Sequence, residues 1–178
     1  SLSDVAAMGA RATAAVAAYG APDLDSEEIR AFVAGASDVC EAVDAAYVGG
    51  DLDGHGEFTV ATTALGDADE PVLRSGADPG DAVCVTGTLG RSAAALELFD
   101  NGRIERANDL FRFEPRVAAG RALAGDATAM MDSSDGLARS LHQLAEASDC
   151  GFAVESVAVP IHDAVVEVAT DATERREL

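Results

Sequence analysis

Four aspartates sit where a chain can do phosphate chemistry: Asp4 follows Ser3, Asp51 follows Gly49-Gly50, and Asp132 and Asp135 flank Ser133-Ser134. Hard divalent cations take oxygen ligands, and Mg2+ in particular is held by one or two carboxylates together with substrate phosphates and water. Glycines beside an acid let a phosphate come close enough for backbone N–H groups to cradle it. Asp135, read as opening a helix, would add backbone donors near a bound anion. The same residues are ordinary helix caps and turn formers. Spacing alone leaves metal–phosphate binding and simple capping both open.

Other chemistries are less well served. Gly87-Thr88-Leu89-Gly90 does not complete a dinucleotide fingerprint, and a GxxxxGK[ST] loop is impossible because the 12 basic residues are all Arg. There is no GxSxG elbow, and His55, His142 and His162 have no evident nucleophile to activate. His142, on a helix, reads as a surface residue. The run Asp51 to Glu57 fails the calcium-loop pattern and is better read as a flexible acidic turn. Cys40, Cys84 and Cys150 lie far apart without metal-ligand spacing, which predicts buried small hydrophobes rather than zinc or a disulfide framework.

Alternating helices and strands must position the four acids. A short helix is predicted from Asp4 to about Gly9, and the apolar run 12–19 fits either helix or buried strand. Asp25 followed by Glu28 resembles a capping box, and Ile29, Phe32, Val33, Val39 and Val43 recur at near-helical spacing, so a helix is predicted to about Ala46. Strands are predicted at 58–65, 82–86, 128–131 and 152–159, and helices at 92–99, 115–123, from Asp135 to about 147, and at 163–168. Arg74-Ser75-Gly76-Ala77-Asp78-Pro79-Gly80-Asp81 is dense in turn formers and marks a domain boundary, giving domains 1–75 and 76–178. The class is α/β.

Composition bounds the partners. Hydrophobic residues are 48% of the 178 but aromatics only 4%, with no Trp, so the core must be built from Ala, Val and Leu. Asp and Glu number 32, for a formal net charge of −20. Such a surface repels nucleic-acid backbones and argues against nucleic acid as a partner. Dispersed acidity without Lys points to a halophilic setting, where the Debye length falls to about 3 Å at 1 M salt and self-repulsion becomes tolerable. No run approaches the length of a membrane span, and no leader is recognised, so a cytoplasmic setting is expected.

The motifs Ser3-Asp4-Val5-Ala6-Ala7-Met8-Gly9-Ala10, Gly49-Gly50-Asp51, Arg74 to Asp81, Val83 to Gly90 followed by Ser92-Ala93-Ala94, and Asp132-Ser133-Ser134-Asp135-Gly136-Leu137 stand in the order seen in thiamine-monophosphate kinase. The chain resembles that family, within the superfamily of aminoimidazole ribonucleotide synthase, hydrogenase-maturation dehydratase and selenophosphate synthetase. The resemblance implies a two-domain α+β fold, with a ferredoxin-like sheet and helices in the first domain and an α+β second domain. It implies ATP-dependent phosphorylation of thiamine monophosphate to thiamine diphosphate with Mg2+, by a homodimer whose first domains pair their sheets. By the same resemblance Asp4, Asp51, Asp132 and Asp135 are expected metal ligands, and Gly50, Asp51, Arg74 and Ser134 nucleotide contacts. No protein nucleophile is expected, since metal and the Arg74 charge neutralise the meeting anions.

The chain also departs from the family pattern. An upstream acidic Gly-Asp-Asp-type segment and a downstream Gly-Gly-Glu-Asp-Tyr segment do not occur, and Gly-Gly-Asp-Thr-Thr is replaced by Gly49-Gly50-Asp51-Leu52-Asp53. The expectation is therefore a fragment without both family termini. The alternatives are an ATP-binding relative of the hydrogenase-maturation dehydratase, which should carry a C-terminal Cys tail, and a non-catalytic nucleotide-binding or dimerisation module.

Overall fold

The computed structural model describes residues 1–169. They form two compact units, Ser1–Ser75 with Glu114–Asp132, and Gly76–Phe113 with Ser133 onward. The division falls between Ser75 and Gly76, and residues 114–132 pack with the first unit.

In the first unit the apolar run after Gly9 is a strand, β1 (Arg11–Ala21), at the centre of a three-stranded sheet ordered β2-β1-β3. The β-branched and aromatic positions Val16 and Tyr19 and the alternating burial of Ala17, Tyr19 and Ala21 fit a pleated strand better than a helix. β2 (Ala46–Gly54) runs parallel to it and β3 (Thr59–Asp67) antiparallel. The crossover from β1 to β2 is α2 (Ser26–Glu41), which begins where predicted: the Asp25 carboxylate accepts from the amides of Glu27 at 2.7 Å and Glu28 at 3.0 Å. α2 ends five residues short of the predicted Ala46. Asp44 enters the left-handed region at φ 58°, and the amides of Ala45 and Asp44 close back on the carbonyls of Cys40 and Glu41 in a Schellman pair.

α1 (Leu2–Ala7) and α5 (Val117–Leu123) complete the unit, and α5 starts two residues later than predicted. Leu2, Val5, Ala6, Ala12, Cys40 and Val117 form its core. At the other end of the sheet Tyr19 packs on Phe32 and Phe58, with ring centroids 5.3 and 5.4 Å away.

The second unit is helical among the described residues. α3 (Arg91–Asp100), α4 (Ile104–Phe111) and α7 (Asp163–Val168) enclose Leu98 and Val165, while α6 (Leu137–Ser148) ties down Gly76 and Ala77, whose amides donate to the Ser148 hydroxyl at 3.2 and 3.1 Å. The strands predicted at 82–86, 128–131 and 152–159 do not form. A strand needs a neighbour to satisfy its ladder. Here Gly87 and Gly90 adopt positive φ, and Pro160 has no amide to donate. Pairing shrinks to one parallel bridge, Leu89 with Ile161, and Ser156–Ala158 is a 3-10 turn. α4 was not predicted. Of the three cysteines expected to be buried, Cys40 is, Cys84 is exposed and Cys150 is half-buried.

Two capping predictions follow. The Asp25 carboxylate is held below its usual pKa by the Glu28 and then the Glu27 amides. A lowered pKa means stabilisation that is present at neutral pH and lost as pH falls through the lowered value. The melting temperature of Asp25→Ala should therefore lie below that of the unsubstituted chain at pH 7, with the gap narrowing through the acid limb. Asp44→Gly, which removes the Cβ from a left-handed position, should raise stability by about 0.5–2 kcal/mol, read from the denaturant midpoint.

Candidate functional site

Asp132 is delivered by an irregular segment whose course is fixed by backbone bonding. The Met130 amide donates to the Leu73 carbonyl at 3.0 Å. That bond sets Asp132 beside Arg74, with an Arg74 guanidinium nitrogen 3.9 Å from the Asp132 carboxylate and only 11% of the Asp132 side chain exposed. A guanidinium stays charged at any physiological pH and spreads its donors in a plane. It is thus suited to a carboxylate and a phosphate at once. Arg74 itself remains half exposed.

Asp51 comes from β2. Gly50 beside it lies against Ala17 of β1 so closely that a Cβ there would overlap the Ala17 carbonyl. The glycine is required by that approach, and it presents Asp51 opposite Ala18, exposed, with its carboxylate accepting from the Leu52 amide at 3.0 Å. Asp4 lies in the first turn of α1, exposed, and helps line a cavity of about 420 Å3 with Val5, Met8, Ala64, Gly66 and Pro71.

Ser134 and Asp135 lie in the second unit, just past the point where the chain leaves the first. Asp135 does not open its helix: the cap position of α6 is Gly136 at φ 93°, and Asp135 instead pairs with Arg139 at 3.4 Å, one turn on. The helix is steadied by Ser140, whose hydroxyl lies 3.0 Å from the Gly136 carbonyl and 3.2 Å from the Ser133 hydroxyl.

The geometry therefore joins Arg74 to Asp132. Among the described residues no three of His, Cys, Asp and Glu converge as a ready-made metal cage. The donor set nonetheless suits Mg2+, which commonly takes one or two carboxylates and fills its remaining positions with phosphate and water oxygens. The reading from sequence singled out Arg74 and Asp132 separately; it missed the Met130–Leu73 bond that joins them, which no residue type signals.

Known proteins share this arrangement of elements. The family model for the N-terminal domain of AIR synthase related proteins matches residues 1–68, and that for their C-terminal domain matches residues 78–176. A thiamine-monophosphate kinase of Halobacterium salinarum is 72% identical over 175 residues, covering 98% of this chain and 61% of that protein. One from Methanospirillum hungatei is 46% identical, covering 96% of this chain and 59% of its own. The chain thus spans about three fifths of the length of these relatives. A solved thiamine-monophosphate kinase from Stenotrophomonas maltophilia superposes with a TM-score of 0.87 at 32% identity, covering 98% of this chain and 59% of its own. A structure described as AaThiL complexed with AMPPCP and TMP gives 0.87 at 28%, covering 94% and 57%. With one domain model covering more than half of the described sequence and its companion covering most of the rest, the chain belongs to the AIR synthase related protein family.

Proposed function

We propose that this chain carries the nucleotide and metal side of a thiamine-monophosphate kinase, which moves the γ-phosphoryl group of ATP onto the phosphate of thiamine monophosphate. The observation that carries this reading is the 72% identity, over 98% of the chain, to a protein of that name. The AMPPCP and TMP held by the solved relative are the analogue and acceptor this reaction calls for. On this reading residues 1–75 belong to a nucleotide-binding and dimerisation domain and residues 76–178 begin a second domain.

The chemistry asks little covalent work of the protein. An oxygen of the acceptor phosphate forms a bond to the γ-phosphorus while the bond to the bridging oxygen breaks and ADP leaves. Both partners are anions, so their repulsion dominates the barrier. Asp4, Asp51, Asp132 and Asp135 would hold Mg2+, which would supply charge neutralisation for the meeting anions. The residues do the rest. Arg74 adds a permanent positive charge, and Asp132 keeps the guanidinium in place. Gly50, Asp51 and Ser134 are the remaining residues assigned to the nucleotide, Gly50 by leaving room and Ser134 by offering a hydroxyl donor for phosphate oxygens.

Two further parts of the reading concern the setting. Ala64 packs on the core, so its neighbour Leu65, 55% exposed, lies on the opposite face of the sheet, and Val48, at an irregularity in β2, is 63% exposed. An apolar sheet face of this kind suits pairing with a second copy, as a homodimer. The net charge of −20 supports a halophilic cytoplasm, and among the described residues no helix is long and apolar enough to cross a membrane.

The test is calorimetric titration with Mg-ATP in molar KCl, followed by assay of thiamine diphosphate formation. Saturable, Mg2+-dependent heat is expected, and it should be lost in Asp132→Asn; binding that survives that substitution would count against the assigned site. The charge balance adds a second expectation: the thermal unfolding midpoint should rise as KCl goes from about 0.1 M to about 2 M.

A further inference from the structure

α1, which bears Asp4, and α5, which leads to Asp132, meet with almost no side chain between them. A Cβ on Gly120 of α5 would overlap the Ala6 carbonyl oxygen and lie 3.1 Å from the Ala6 Cα. One turn further, a Cβ on Gly9 would overlap that of Ala124, and Gly9 itself sits at φ 67°. β3 offers Gly66, where a Cβ would come 2.6 Å from Val5 Cγ1. α1 is therefore held by α5 at backbone distance and by the sheet through the Val5 side chain.

The grip is transmitted. Beyond Leu123 the chain turns through bonds from the Asp126 and Ala127 amides to the Leu123 carbonyl, at 3.0 and 2.9 Å. It is next pinned where Met130 donates to Leu73, and two residues later it presents Asp132 to Arg74. Any retreat of α5 from α1 must be absorbed in this short run.

We propose that Gly120 is a positioning residue for the phosphate site: by letting α5 lie directly on α1, it sets the placement of the Asp132–Arg74 pair relative to Asp4. This rests on the reading of Asp4, Asp132 and Arg74 given above. A helix interior ordinarily disfavours glycine relative to alanine. At this position alanine gains that propensity and collides with a backbone oxygen, which cannot rotate away as a side chain would.

The test compares Gly120→Ala with Gly125→Ala, a glycine of the same segment with nothing within 4 Å of an added Cβ. Two quantities are read on the full chain in molar KCl, with the fold checked by circular dichroism. The first is hydrogen-exchange protection of the Met130 amide, which reports the seam without reference to any ligand. The second is the Mg2+ concentration that half-saturates ATP binding. Gly120→Ala should lose the Met130 protection and raise the Mg2+ requirement about 10- to 100-fold, the range for displaced supports of a metal site. Gly125→Ala should do neither. A folded Gly120→Ala that keeps either the protection or the Mg2+ requirement of the unsubstituted chain overturns the proposal. If Gly120→Ala does not fold, Ala124→Val, which presses on Gly9 at the other end of the seam, decides by the same two readings. Absence of Mg-ATP binding in the unsubstituted chain would overturn the functional reading and the metal role together, while Met130 protection would still report whether the seam holds Asp132.

Discussion

Close approach of backbone to backbone is the constraint on which this molecule rests. An interior poor in aromatics and dominated by alanine gains little from each buried side chain, since a methyl contributes about 0.8 kcal/mol where a leucine contributes two or three times that. The elements compensate by coming nearer. Gly50 lies on Ala17 between β2 and β1, Gly120 on Ala6 between α5 and α1, and Gly66 beside Val5. In such an interior the damaging substitution is an added atom more often than a lost one. The first unit keeps one conventional anchor, the Tyr19, Phe32 and Phe58 cluster, and the second keeps Leu98 and Val165.

Charge is distributed on a different principle. Most ion pairs here lie on the surface, where each is worth little and is screened by salt. The Arg103 and Arg106 pair with Glu167 is the densest of them; the hydrogen bond from Arg103 is the main reason the Glu167 carboxyl sits below its usual range. Asp132 differs from the exposed acids. It is nearly covered and faces one guanidinium, so its charge is little diluted by water and can act on whatever anion or cation approaches Arg74.

What could be read from the sequence was local. The Asp25 cap and the apolar spacing after it announced α2, and the bounds of α7 were read to the residue, because each depends on groups a few positions apart. The order of the motifs carried the family. What could not be read depended on distant partners. Residues 82–86 and 152–159 have strand composition, but composition cannot say whether a neighbouring strand exists to pair with. α4 follows Asn101-Gly102, which reads as a stop, and its cap residue Arg103 makes no side-chain capping bond to advertise a new start. By propensity alone a glycine such as Gly120 weakens a helix. Only the position of Ala6, 114 positions earlier, reveals it as a requirement.

The division of the chain has one more consequence, which concerns its birth rather than its finished state. Neither unit is continuous: the first needs Glu114–Asp132 to finish it, and the second begins at Gly76 but resumes only at Ser133. A ribosome therefore cannot release a completed first unit and then start on the second. The sheet can assemble early, yet α1 waits for α5 while the whole stretch 76–113 emerges between them. Synthesis proceeds from one end and folding must reach back, so α1 stays without its covering helix until the residues that end in Asp132 have left the tunnel.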